Sequence, residues 1–238
     1  MMSTSQKRNR DESDNSSNNN YNNNTDLSEL DSCKRQKYML KEADEYVLIN
    51  KSNVYDVGNT IYFVDDVHML SIQKFIKILD KKILENVKQL DDNYTLTYVV
   101  KSGGGSVPDI LHFVDHIRMT KQRYPNVKFV SVATGIVASA ASIMCVVADE
   151  KNITKYAKSM IHELSSSMPR KNFTRIKSDF KLTNMYHNDL CDIYLANIRK
   201  NSDDQSVLSR VELEKLLLDE TWYSAEEYVN AGFADKVL

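Results

Sequence analysis

Gly135-Ile136-Val137-Ala138-Ser139-Ala140-Ala141-Ser142, taken together with Met160-Ile161-His162-Glu163 downstream, is the stretch on which the reading of this chain turns. It follows a strand-like segment, Val127 to Ala133, and runs into an apolar, helix-capable segment, Ile143 to Ala148. A serine placed where a strand hands over to a helix has its hydroxyl near the helix N-terminus. Unpaired backbone N–H groups and the positive end of the helix dipole can receive a developing oxyanion there. A histidine on the following strand can act as the serine's base. The pair predicts nucleophilic serine hydrolysis, with Ser139 as nucleophile. Ser142, one turn later, is the rival and lies deeper in the helix.

Working outward, Thr95 to Val100 reads as a strand ending in Lys101-Ser102-Gly103-Gly104-Gly105-Ser106, and Val107 to Gln122 reads as a helix with Pro108 in its first turn. The glycine run lacks the spacing of a phosphate-binding GxxxxGK[ST] loop, so nucleotide binding is not expected. Bare backbone at such a turn can instead present N–H groups to a carbonyl oxygen. Further upstream, Thr60 to Val64 predicts a buried strand, with Asp65-Asp66 as a helix cap. Ile72, Phe75, Ile76, Leu79 and Ile83 then form the apolar face of a helix. Downstream, Ile153 to Ala157 and Met160 to Glu163 read as short strands, Thr174 to Lys200 as a long helix and Glu212 to Leu218 as another. Ser224 with Glu227 three residues on has the form of a capping box. Strands alternating with helices place the domain in the α/β class. His68, His112, His116 and His187 fall in helices among surface-type neighbours and receive no catalytic role.

The remaining limits come from composition. Residues 1–42 include an Asn/Ser-rich run, Asp14 to Asn24, without apolar period, and are expected to be a disordered tail ahead of a folded domain over 43–238 that opens near Glu45 to Asn50. Lys7-Arg8-Asn9-Arg10 and Lys34-Arg35-Gln36-Lys37 read more readily as solvated basic patches than as a split nuclear address. A net charge of −2 gives no ground for a nucleic-acid partner. No window approaches the ~20 apolar residues of a spanning helix, and the N-terminus lacks the apolar core of a signal peptide, so a soluble, intracellular protein is expected. The 3 cysteines, Cys33, Cys145 and Cys191, are scattered without a CxxC pair, so free thiols are expected, with no metal and no cofactor.

In order along the chain, Ser102-Gly103-Gly104-Gly105-Ser106-Val107, Gly135 to Ser139, Met160-Ile161-His162, and Trp222-Tyr223-Ser224-Ala225-Glu226-Glu227 running to Gly232-Phe233-Ala234-Asp235 resemble the proteolytic subunits of the Clp protease, the ClpP family, over roughly residues 59–238. The resemblance implies a ClpP/crotonase fold of stacked ββα units with a protruding handle helix, matched by the helix from Thr174. It implies a serine endopeptidase with a Ser-His-acid triad. Ser139 matches the nucleophile, His162 the general base, and Glu220 the acid, with Asp219 as the fallback. Gly104, Gly105 and Ala140 match the oxyanion hole. The partners implied are peptide or unfolded-protein substrate, further copies of the chain in a ring, and a Clp-type ATPase. The chain departs from the family pattern at Gly103, which replaces a proline, at Leu164 to Lys171, which replaces a glycine-rich strand, and at Thr221, which replaces an arginine. Two alternatives stand beside this expectation: a ClpP-fold scaffold that has lost cleavage, and an acyl-CoA enzyme on the related crotonase fold, whose chemistry has no use for a Ser139/His162 pair.

Overall fold

The chain changes neighbour half-way along one strand, and that change determines where the candidate site lies. A computed structural model describes residues 51–86, 94–165, 172–198 and 208–238. The strands are β1 (Val54–Val57), β2 (Thr60–Phe63), β3 (Tyr94–Ser102), β4 (Val127–Ala138), β5 (Glu150–Ile153), β6 (Lys158–Ile161), β7 (Thr221–Tyr223) and β8 (Lys236–Val237). The helices are α1 (Met69–Asn86), α2 (Val107–Arg123), α3 (Ala140–Val146), α4 (Phe173–Asn197), α5 (Arg210–Leu218) and α6 (Ala225–Asn230). The first half of β4, Val130 to Ala133, pairs with β5, and its end, Ile136 to Ala138, pairs with β6. Gly135, with φ 61°, sits at the fork. A glycine can take this left-handed conformation at little steric cost, so the strand bends there and continues.

The fork also accounts for a difference from the expected strand, which ended at Ala133. A glycine reads as a breaker in sequence, but here it bends the strand and leads it to Ser139. The sheet order is β1-β2-β3-β4-β5-β8, with β6 joining β4 to β7. The β1–β2 and β6–β7 pairs are antiparallel and the others are parallel. Parallel pairs joined through helices give the α/β fold that the alternation predicted.

Between the sheet and α1 and α2, Phe75 packs edge-on against Phe63, Tyr98 and Phe113, with centroids 6.3, 5.6 and 5.3 Å away. A second aromatic cluster joins α4 to the chain's end. Phe233 lies 5.2 Å from Tyr228, 5.6 Å from Tyr223 and 5.8 Å from Tyr194. Along α4 the buried residues are Cys191 and Tyr194. Leu190 and Ile193 pack partly against the core, while Phe173, Ile176, Phe180, Leu182 and Met185 stand exposed. The helix therefore packs by its C-terminal half and projects by its N-terminal half.

Other expectations need correcting in detail. Asp65 does not cap α1. Its carboxylate accepts from Ser52 Oγ at 2.8 Å and the Asn53 N–H at 2.7 Å, tying the loop before β1, and α1 begins only at Met69. The strand expected at Ile153 to Ala157 lies earlier, at Glu150–Ile153. Its polar residues hid it, since Lys151 is buried against Asp235 and Asn152 is buried beside Glu150. The Ser224/Glu227 capping box is present. The tail over 1–42 and the segment from Glu45 to Asn50 lie outside the described residues.

Candidate active site

Strand β4 ends at Ala138 and α3 starts at Ala140, which leaves Ser139 alone in the turn, with φ 54° and ψ −131°. A residue with a Cβ pays roughly 1–3 kcal/mol for such a conformation, so the surroundings must enforce it. Two features do so. The Ser139 N–H donates to the Met160 carbonyl at 2.8 Å, extending the β4–β6 pairing by one rung. Gly104 packs directly beneath: a Cβ there would lie 2.6 Å from the Ser139 Cβ and 2.7 Å from the Ala138 carbonyl oxygen.

Helix α3 is short and fully buried, so its C-terminal carbonyls need partners. Tyr98 Oη donates to the Met144 oxygen at 2.7 Å, Ser131 Oγ to the Cys145 oxygen at 2.9 Å, and Lys121 Nζ to the Val147 oxygen at 3.2 Å. Side chains from β3, β4 and α2 thus clamp the end of α3 and fix the direction in which its first N–H, that of Ala140, points. The hydroxyl of Ser142 is engaged in bonds of its own. Buried, it lies 2.6 Å from the Ser139 carbonyl oxygen and 2.6 Å from Tyr194 Oη.

His162 follows the last residue of β6, and its Nε2 lies 2.7 Å from Ser139 Oγ. The next residue is anchored, with the Glu163 N–H donating to the Leu217 carbonyl at 2.9 Å. Gly105, Ser139, Ala140 and His162 line one pocket, together with Leu190, Tyr194 and Leu217. Gly105, with φ 146°, is held by Val67: the Val67 N–H donates to the Gly104 carbonyl at 2.7 Å and the Ser106 N–H to the Val67 carbonyl at 2.8 Å. This parallel bridge uses the groups on either side of Gly105 and leaves its own N–H outside the bridge. Gly104 is placed differently. Its N–H donates to Ser102 Oγ at 3.1 Å, a bond that an oxyanion would have to displace.

The sequence model of the Clp protease family matches residues 57–238. This chain belongs to the Clp protease family. It is also similar to the ATP-dependent Clp protease proteolytic subunit 1 of Protochlamydia amoebophila (strain UWE25), at 26% identity over 151 residues, which are 62% of this chain and 67% of that protein. The family is one of peptidases, and the matched span contains every residue that lines the pocket.

Within this Clp protease chain the two candidate acids stand apart from the Ser139–His162 pair. Asp219 is the C-terminal cap residue of α5, and Glu220 follows it with φ 47°. Among the described residues, neither forms an ion pair or side-chain hydrogen bond with His162. The register of β6 with β7 nonetheless runs Ser159–Tyr223, Met160–Trp222, Ile161–Thr221. One step further it sets His162 across from Glu220.

Sequence reasoning missed two residues at this site. His187, given no role there, lines the pocket, and Tyr194 holds Ser142. The signal was the spacing 187, 190, 191, 194, which puts all four on one face of α4. Leu164 and Ser165 line the pocket, while residues 166–171 of the segment that replaces the family's glycine-rich strand lie outside the described residues. Among the described residues no helix is long and apolar enough to cross a membrane.

Proposed function

We propose that this chain is a serine endopeptidase acting on peptides or unfolded protein, with Ser139 as nucleophile and His162 as general base. The observation that carries this is the 2.7 Å contact between His162 Nε2 and a Ser139 hydroxyl held in a strained turn. Ser139 Oγ attacks the substrate carbonyl carbon as its proton passes to His162 Nε2. The N–H groups of Gly105 and Ala140 bind the oxyanion. His162 then protonates the leaving amine, which breaks the C–N bond and leaves an acyl-Ser139. Water, deprotonated by His162, attacks the acyl group and releases the carboxylic acid product. Glu220 is the acid that holds the imidazolium, reached by a turn of its backbone toward the His162 side of the ladder.

The exposed residues Phe173, Ile176 and Phe180 recur on α4 at three and four residues and support self-association through that helix. A ring of such subunits, served by a Clp-type ATPase, is the assembly this reading favours. The test is a fluorophosphonate probe followed by peptide mapping. Ser139 is the expected label, and the Ser139→Ala variant does not react. Labelling at Ser142, or none in a folded sample, would overturn the assignment of Ser139 and His162. The separation of Glu220 from His162 favours one second reading, a Clp-fold scaffold without turnover, which the absence of labelling would select.

A further inference from the structure

His187, which lines the same pocket, belongs to a second cluster that the peptidase mechanism does not use. His187 and Cys191 lie one turn apart on α4, and Glu214 reaches them from α5. One donor atom from each lies within 4.8 Å of the other two. His187 Nε2 is 3.7 Å from Cys191 Sγ and 3.7 Å from Glu214 Oε1. A nitrogen–oxygen separation of that length is too long for a hydrogen bond. It does match the spacing of ligands around an ion: bonds of ~2.0–2.3 Å in tetrahedral geometry put the ligand atoms roughly 3.3–3.8 Å apart.

We propose that His187 Nε2, Cys191 Sγ and the Glu214 carboxylate form a binding site for one divalent ion of the zinc class. Nitrogen and sulfur donors select zinc or cobalt over magnesium or calcium, and three protein ligands leave a fourth position for water. The i, i+4 spacing of the histidine and cysteine brings both onto one face of a rigid helix. The third ligand is oriented from outside: Arg210 Nε lies 2.8 Å from Glu214 Oε1, and its Nη1 lies 2.7 Å from Asp192 Oδ1. Asp192 offsets the arginine charge, so the thiolate and Glu214 balance the 2+ ion. On binding, the Cys191 S–H bond is replaced by an S–metal bond, and the proton leaves to solvent. The ion enters from solvent, to which the side chains of His187 and Glu214 are 32% and 44% exposed. Once bound it ties α5 to α4. Because α5 ends at Leu218, directly before Asp219 and Glu220, the ion restrains the segment that carries the triad acid.

The experiment uses the full chain, treated with chelator and then titrated with Co²⁺ and with Zn²⁺. A thiolate-to-cobalt charge-transfer band in the near ultraviolet, one ion per chain by native mass spectrometry, and a Zn²⁺-dependent rise in Tm are expected. Cys191→Ser abolishes the band, and Glu214→Gln, at a half-exposed position that tolerates the change, weakens binding by about 10-fold or more. Should Cys191→Ser fail to fold, His187→Ala takes its place and loses the same high-affinity ion. The site is overturned if the folded wild-type chain shows no band, or if the band survives Cys191→Ser, which would put the ion on Cys33 or Cys145. Unchanged affinity in Glu214→Gln would overturn the three-ligand arrangement. None of these readouts depends on peptidase activity, so the site stands or falls separately from the serine mechanism.

Discussion

Ile161 and Thr221 form the last rung of the β6–β7 ladder, and the residues immediately beyond them are His162 and Glu220. Side chains directly opposite on antiparallel strands have Cβ atoms about 4.5–5.5 Å apart, within reach of a glutamate and an imidazole. Glu220 misses the contact because its φ of 47° turns it out of the extended strand. This relationship favours Glu220 over Asp219, which lies one residue further from the ladder as the C-terminal cap of α5. Glu220→Gln is expected to lower kcat for peptide hydrolysis by about 10⁴-fold, the usual loss when the orienting carboxylate becomes an amide. Asp219→Asn is expected to stay within a few-fold. Steady-state kinetics on both variants decide the acid, and the reverse pattern would transfer the role to Asp219.

Gly104 and Gly105 are expected to fail differently when a methyl group is added. At Gly105 the Cβ would stand 2.2 Å from the Val67 carbonyl oxygen, so the β-bridge itself has to open. Gly105→Ala should therefore cost about 1–3 kcal/mol of stability, read as a lowered Tm. At Gly104 the obstacle is the Ser139 Cβ at 2.6 Å, and a displaced Ser139 loses its alignment with His162. Gly104→Ala should slow fluorophosphonate labelling of Ser139 by about 10²-fold or more. Equal labelling rates in wild type and Gly104→Ala would show that Gly104 does not set the serine's position.

Much of this arrangement was legible in the chain, and what was missed has physical causes. The apolar period from Ile72 to Ile83 gave α1 its buried face, because a 3.6-residue repeat admits one reading. The Ser224/Glu227 pair marked a helix start because a capping box is a local device. The serine and histidine were legible as an ordered pair, since the turn and strand that present them are each short in sequence. The contacts that depend on chain folding were not. The bonds that hold Gly104 and Gly105 come from Ser102 and from Val67, the latter remote in sequence. The His187, Cys191 and Glu214 cluster joins two helices, and a search for CxxC spacing cannot find it. Strand β5 was misplaced because burial of Lys151 depends on a partner remote in sequence, Asp235.

Ser142 links the Ser139 turn to the aromatic cluster on α4, and its loss should therefore be felt in stability. Ser142→Ala leaves the buried Tyr194 hydroxyl without its 2.6 Å partner, at an expected cost of about 1–3 kcal/mol. Adding Tyr194→Phe removes the orphaned group, so the double variant should be less destabilised than the sum of the two singles. Denaturant unfolding of the four proteins measures the coupling. Strict additivity would show that the two hydroxyls do not act as a pair. Labelling at Ser139 should persist in Ser142→Ala throughout.

Glu150 gives the fold an acid-sensitive tie. Its carboxylate lies 2.8 Å from Lys128 Nζ on β4 and 3.1 Å from Lys236 Nζ on β8, so it spans three neighbouring strands. The hydrogen bonds from Lys128, Asn152 and Lys236 pull its pKa from 4.5 down to about 2. A carboxyl group with a depressed native pKa takes up its proton first in the unfolded chain. Its contribution to stability is therefore complete above pH 4.5 and is lost as pH falls from 4.5 toward 2. Tm measured across that range should fall more steeply for the wild-type chain than for Glu150→Gln, with the two curves converging at the acid end. Other carboxylates titrate in both proteins, so the difference between the slopes isolates Glu150. Parallel curves would mean that the two lysines do not hold this carboxylate in solution.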